Sequence, residues 1–108
     1  MSKIRLNYKE KTYVLEYTRR SARIIETNGF KADEVGNQPN VMIPLLWQGA
    51  FVKNHPNVKP KTLDDIYEAQ NNKSKLIETL VTLYYETVKS LVGDEEEDDE
   101  KNATWELV

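Results

Sequence analysis

Residues 72–92, NKSKLIETLVTLYYETVKSLV, are the longest stretch with an unbroken helical pattern, and any fold of this chain must cover one side of it. Apolar residues recur at Leu76, Ile77, Leu80, Leu83, Tyr84, Val88 and Leu91, in steps of three and four that share one broad face. No Pro or Gly interrupts the run until Gly93, where a stop is expected. Such a stripe packs into a core or lies in a partner's groove. Leu76, Leu83 and Tyr85 widen it beyond what one neighbour would cover.

Seven consecutive acids follow, Asp94 to Glu100. Their effect appears when the charge is divided. Residues 1–93 hold 14 basic and 10 acidic side chains, net +4; residues 94–108 hold one lysine and eight acids, net −7. Like charges in a block repel one another and stay solvated. The segment 94–108 therefore reads as an acidic flexible tail, either a solubilising end or an arm that competes for a basic surface. Its last residues, ATWELV, form a short apolar tip carrying Trp105. That tip suits a docking peptide or a strand that pairs back onto the domain.

The rest of the chain supplies one modest domain, residues 1–93, by size. Ile4, Leu6 and Tyr8, then Tyr13, Leu15 and Tyr17, alternate with their neighbours as strands do, which predicts a hairpin over 4–17 with Lys9–Lys11 as its turn. A hairpin alone is marginal in water, so helices must cover it. Helices are expected at about 18–28, 42–53, 63–70 and 72–92, giving a mostly helical α+β fold. Thr18 caps the first helix, and Asn28-Gly29-Phe30 ends it. Residues 31–40 read as a polar connector, with Asn40 capping the second helix and Pro44 in its first turn. Thr62 caps the third, with Asp64 and Asp65 in the first turn, where carboxylates complement the helix dipole.

Candidate partner-binding residues fall in three groups. Trp47 and Phe51 lie in MIPLLWQGAFVK, the most apolar segment, as core or as interface anchors. Leu80, Tyr84 and Val88 mark the long helix's face. Arg19, Arg20 and Arg23 are the densest positive cluster, a solvated face or a contact for phosphate or the acidic tail.

Chemistry has little to stand on. There is no cysteine, so no disulfide, thiolate nucleophile or Cys-based metal site. His55 is the only histidine and reads as a surface loop residue. The acids lack calcium-loop spacing, and the four glycines lie far apart, which excludes a phosphate loop. No enzyme, cofactor or metal is expected. Nucleic-acid binding is disfavoured because the acidic run would compete for the basic patch. The start of the chain has no apolar signal region, and no apolar run approaches a membrane span.

Taken together, the segments Tyr13–Gly29 (YVLEYTRRSARIIETNG) with Phe30, MIPLLWQGAFVK with His55, the long helix, the acidic run and ATWELV resemble a family in that order. It is the family of small tail assembly chaperones of long-tailed phages and prophages of Gram-positive bacteria, whose members often carry only an uncharacterised-domain label. The resemblance covers nearly the whole chain and rests on the order of the pieces. It implies a non-enzymatic protein of the bacterial host cytoplasm. Such a protein coats the tape measure protein, keeps it in solution, helps recruit tail tube subunits and leaves before the tail matures. It implies no catalytic residues, and in such systems a longer frameshifted product can exist. The residues alone leave a rival open, an acidic-tailed regulatory module that occupies a nucleic-acid-binding protein through Asp94–Glu100. They also leave a homo-oligomer open.

Overall fold

The N-terminal strands β1 (Ile4–Tyr8) and β2 (Lys11–Leu15) form an antiparallel hairpin, with Leu6 opposite Tyr13 and Ile4 opposite Leu15. In this computed structural model, residues 3–92 and Leu107 are described, with side chains of the last helix described as far as Lys89. Four helices follow: α1 (Arg19–Thr27), α2 (Pro39–Phe51), α3 (Pro60–Glu68) and α4 (Lys73–Val92), with a 3-10 turn at Ala32–Glu34. The expected α+β architecture, a hairpin packed on helices, is what the chain adopts. Gly93, the acidic run and Trp105 lie outside the described residues.

The hairpin turn is tighter than expected. Lys9 and Glu10 alone reverse the chain, both at positive φ (48° and 67°). Two such residues give the turn whose twist matches paired strands. Lys11 therefore belongs to β2 and pairs with Tyr8. The strand also ends earlier than 17, because Glu16 and Tyr17 turn to the helices. The Glu16 N–H donates to the Ala50 carbonyl at 3.2 Å, and the Tyr17 hydroxyl donates to the Leu46 carbonyl at 2.6 Å.

Helix α1 is as its sequence reads. The Thr18 hydroxyl accepts from the Ser21 N–H, and the Ser21 hydroxyl accepts from the Thr18 N–H, a reciprocal cap. At the far end Gly29 takes φ 105°, so the Phe30 N–H reaches the Ile25 carbonyl and the Phe30 ring folds into the core.

The next two helices start earlier than expected, each with a proline at its first or second position. A missing N–H costs nothing there. Asn40 and Thr62 are consequently inside helices rather than at caps. Pro44 falls one turn deeper than the first turn, and Asp64 and Asp65 sit past the first turn. Asp65 instead pairs with Lys61 at 3.2 Å. The two helices also stop short of 53 and 70. The connector between α1 and α2 is less polar in effect than in composition, since Ala32 and Val35 pack on the core.

One core holds these elements together. Leu15, Tyr17, Ile25, Leu46, Phe51, Ile66 and Leu80 are fully buried. Helix α2 is its axis, meeting the hairpin, α1, α3 and α4. Gly49 makes one of these meetings close. A Cβ there would lie 2.9 Å from Ile25 Cγ2 and 3.3 Å from the Tyr17 ring. Tyr84, from α4, stacks edge-on against Tyr17 and Phe30 and donates its hydroxyl to Glu26. No helix among the described residues is long and apolar enough to cross a membrane.

Candidate partner-binding site

Most of the expected anchors are internal. Trp47, Phe51, Leu80 and Tyr84 are each at most 6 % exposed, so they build the core and cannot by themselves be surface anchors of the folded chain. Val88 is half-buried against the same core. Arg19, Arg20 and Arg23 are exposed on α1. The first two occupy its first turn, where a cation opposes the helix dipole. His55 departs from the surface-loop expectation. Its Nε2 accepts from the Val14 N–H at 3.0 Å, and its ring meets Tyr13 edge-on. An Nε2 that accepts leaves the ring proton on Nδ1.

Around His55 the end of α2 closes the outer edge of β2. Asn54 Nδ2 donates to the Val14 carbonyl at 3.1 Å and to Glu16 Oε2 at 3.0 Å; Lys53 Nζ reaches Glu16 Oε1 at 3.2 Å. The Asn54 hydrogen bond, with help from Lys53, holds the Glu16 carboxyl below its ordinary range, although burial pulls the other way. A shallow polar groove of about 710 Å³ flanks this corner, with Lys11, Lys59, Thr12 and Thr62 among its walls.

The feature that suits an apolar partner lies on the other side of α2. Pro39, Asn40, Ile43, Pro44 and Trp47 from α2 face Asp64, Tyr67 and Glu68 from α3 across a slot of about 370 Å³. Its floor is rigid. The Trp47 indole N–H donates to the Leu63 carbonyl at 2.8 Å, and the ring meets Phe51 and Tyr67 edge-on, with centroids 5.0 and 5.2 Å away. Burial raises the Tyr67 phenol pKa, with the Glu68 charge adding to it, so the phenol keeps its proton at physiological pH. Lys73 sits over the Tyr67 ring, 5.7 Å from its centroid, and donates to the Glu68 and Gln70 carbonyls.

Pro44 shapes the slot twice. Its ring forms part of the wall, and its missing N–H leaves the Asn40 carbonyl without a helical donor. Asp64 and Glu68 form an acidic rim, and neither makes an ion pair among the described residues. An aromatic floor, proline walls and an acidic rim fit an apolar side chain, or the stem of a lysine or arginine whose head reaches the carboxylates. Sequence reading missed Ile43, Asp64 and Tyr67 as one site. The signal for it was Pro44, once Pro39 is recognised as the residue that opens the helix.

Residues 1–107 match the family model described as Domain of unknown function (DUF5055). The chain belongs to this family. Neither the curated proteins nor the solved structures contain a match to it. The DUF5055 description names no activity or partner. Among the described residues of this DUF5055 chain, no group of three or more His, Cys, Asp or Glu stands together as a metal site would require.

Proposed function

We propose that this protein is a non-enzymatic tail assembly chaperone, working in the bacterial cytoplasm. It binds the tape measure protein and helps recruit tail tube subunits. The resemblance in the order of its segments suggests the role, and the slot between α2 and α3 is the observation that carries it. A tape measure protein is a long helical chain with apolar faces, and an uncovered apolar face aggregates. A chaperone for it must cover such a face and later release it. A slot that admits one or two side chains serves that purpose, because a small interface is a weak and reversible one. Helix-in-groove recognition uses anchors at helical spacing, and here the acidic rim adds a preference for a basic residue beside the apolar one.

Co-expression tests the reading. Co-expressed with a phage tape measure protein and tail tube protein, this chain is expected to co-purify with the tape measure protein and raise its soluble fraction. Absence of any complex, with solubility unchanged, overturns the proposal. Deleting residues 94–108 separates it from the regulatory alternative: the slot keeps its partner without the tail, whereas a module acting through Asp94–Glu100 loses it.

A further inference from the structure

The two edges of the hairpin are treated differently. In an antiparallel pair, alternate residues turn their N–H and C=O groups outward. On the β2 side these groups are taken. The Val14 N–H donates to His55 Nε2, the Val14 carbonyl accepts from Asn54, and the Glu16 N–H donates to the Ala50 carbonyl. On the β1 side the register sets Arg5 opposite Val14 and Asn7 opposite Thr12, so Arg5 and Asn7 turn their groups outward. Among the described residues nothing pairs with these backbone groups. Arg5 and Asn7 are exposed, and Ile4 and Tyr8 beside them are only half-buried.

We propose that the outer edge of β1 takes an extended acidic peptide of a partner protein as a third strand. The outward N–H and C=O groups of Arg5 and Asn7 supply the main-chain hydrogen bonds of strand addition. Side chains on neighbouring strands share faces. Every second residue of the added strand therefore lies beside Ile4, Leu6 and Tyr8, and an apolar one there covers the half-buried Ile4 and Tyr8. The residues between them lie beside Arg5 and Asn7, where a carboxylate meets the Arg5 guanidinium.

Charge selects this occupant over a second copy. Residues 3–15 carry Lys3, Arg5, Lys9 and Lys11 against one acid, Glu10. All four cations are exposed, and none makes an ion pair among the described residues. Cations on a sheet edge discourage self-pairing. Two β1 edges joined antiparallel about Leu6 would bring Lys3 of one copy against Lys9 of the other. Joined about Arg5, they would set the two arginines together, and like charges directly opposite are unfavourable. A strand of opposite sign meets no such cost. The edge shares no residue with the slot between α2 and α3, so the two sites stand or fall separately.

Amide hydrogen exchange by NMR on the full chain tests this, with a capped peptide of about eight residues in which valine alternates with glutamate. At about 1 mM peptide, the Arg5 and Asn7 amides are expected to exchange about tenfold more slowly, as a dissociation constant of about 100 μM would give. Val14 and Glu16 are already paired and should not change, which shows that the body is intact. Two control peptides should slow nothing: the same peptide N-methylated throughout, which keeps its charge but is barred from the edge, and a valine–lysine peptide of the wrong sign. Arg5→Glu, at an exposed position, should lose most of the slowing read at Asn7. Unchanged rates at Arg5 and Asn7 overturn the proposal. Slowing by either control peptide overturns it as well, because strand pairing to acids would not be its cause. So does protection already present without peptide, or rising with protein concentration, because this chain or a second copy would then hold the edge.

Discussion

The two halves of α2 make opposite use of the same apolar composition. From Leu46 to Phe51 the helix is closed in, with Gly49 bringing it close to Ile25 and Tyr17 and with Leu46, Trp47, Ala50 and Phe51 buried. From Pro39 to Pro44 it is half-open, with Ile43 partly exposed and a carbonyl left without its donor. Hydrophobicity alone does not separate them. What separates them is the backbone: a glycine that permits close packing in one half, a proline that breaks the hydrogen-bond ladder in the other. Trp47 stands at the junction and serves both, as core filling and as the slot's floor.

The largest test of the contrast is Trp47→Ala. It removes a buried indole from the core and the floor together, and a loss of about 3–5 kcal/mol is expected. Chemical denaturation measures this, and a loss under 1 kcal/mol would mean that the two halves are not joined at this residue. Gly49→Ala comes next. Alanine favours a helix over glycine by about 1 kcal/mol, but the new methyl meets Ile25 at 2.9 Å in a packed core. Overpacking costs roughly 1–3 kcal/mol, so a net loss of up to about 2 kcal/mol is expected. A gain in stability would show that the closed half is loosely packed.

Alkaline titration probes the same half. Burial raises the phenol pKa values of Tyr17 and Tyr84, with the hydrogen bond to Glu26 adding to the latter. Above about pH 10 the unfolded phenols lose protons while the folded ones keep theirs. The folded state then binds more protons, so stability is full below pH 10 and falls above it. Tyr84→Phe should shrink that fall, as read from melting temperatures between pH 9 and 11. The smallest stability effect is expected at the rim of the open half. Asp64→Lys with Glu68→Lys alters exposed side chains and should change stability by no more than about 0.5 kcal/mol.

Much of this fold was legible in the sequence. Alternation in the strands, the Thr18 cap and the Asn28-Gly29-Phe30 stop are local signals, and each local preference agrees with the packing around it. The helix starts at Pro39 and Pro60 were hidden because Asn40 and Thr62 look like better caps than Gln38 and Lys59, which make no side-chain cap. The turn at Lys9–Glu10 carries no glycine or asparagine to announce its positive φ. His55 was unreadable for a different reason: its partner, the Val14 N–H, is 41 residues away. The slot was illegible on the same ground. It exists only where α2 and α3 meet, and its most apolar residue, Trp47, belongs equally to the core.

The most direct measurement is binding of the tape measure protein to the full chain and to the Asp64→Lys, Glu68→Lys variant, by calorimetry at low and high salt. The acidic rim predicts that the variant loses at least tenfold in affinity at low salt, that the difference narrows at high salt, and that both proteins melt together. Equal affinity, with melting temperatures unchanged, would contradict the assignment of the slot as the partner-binding site.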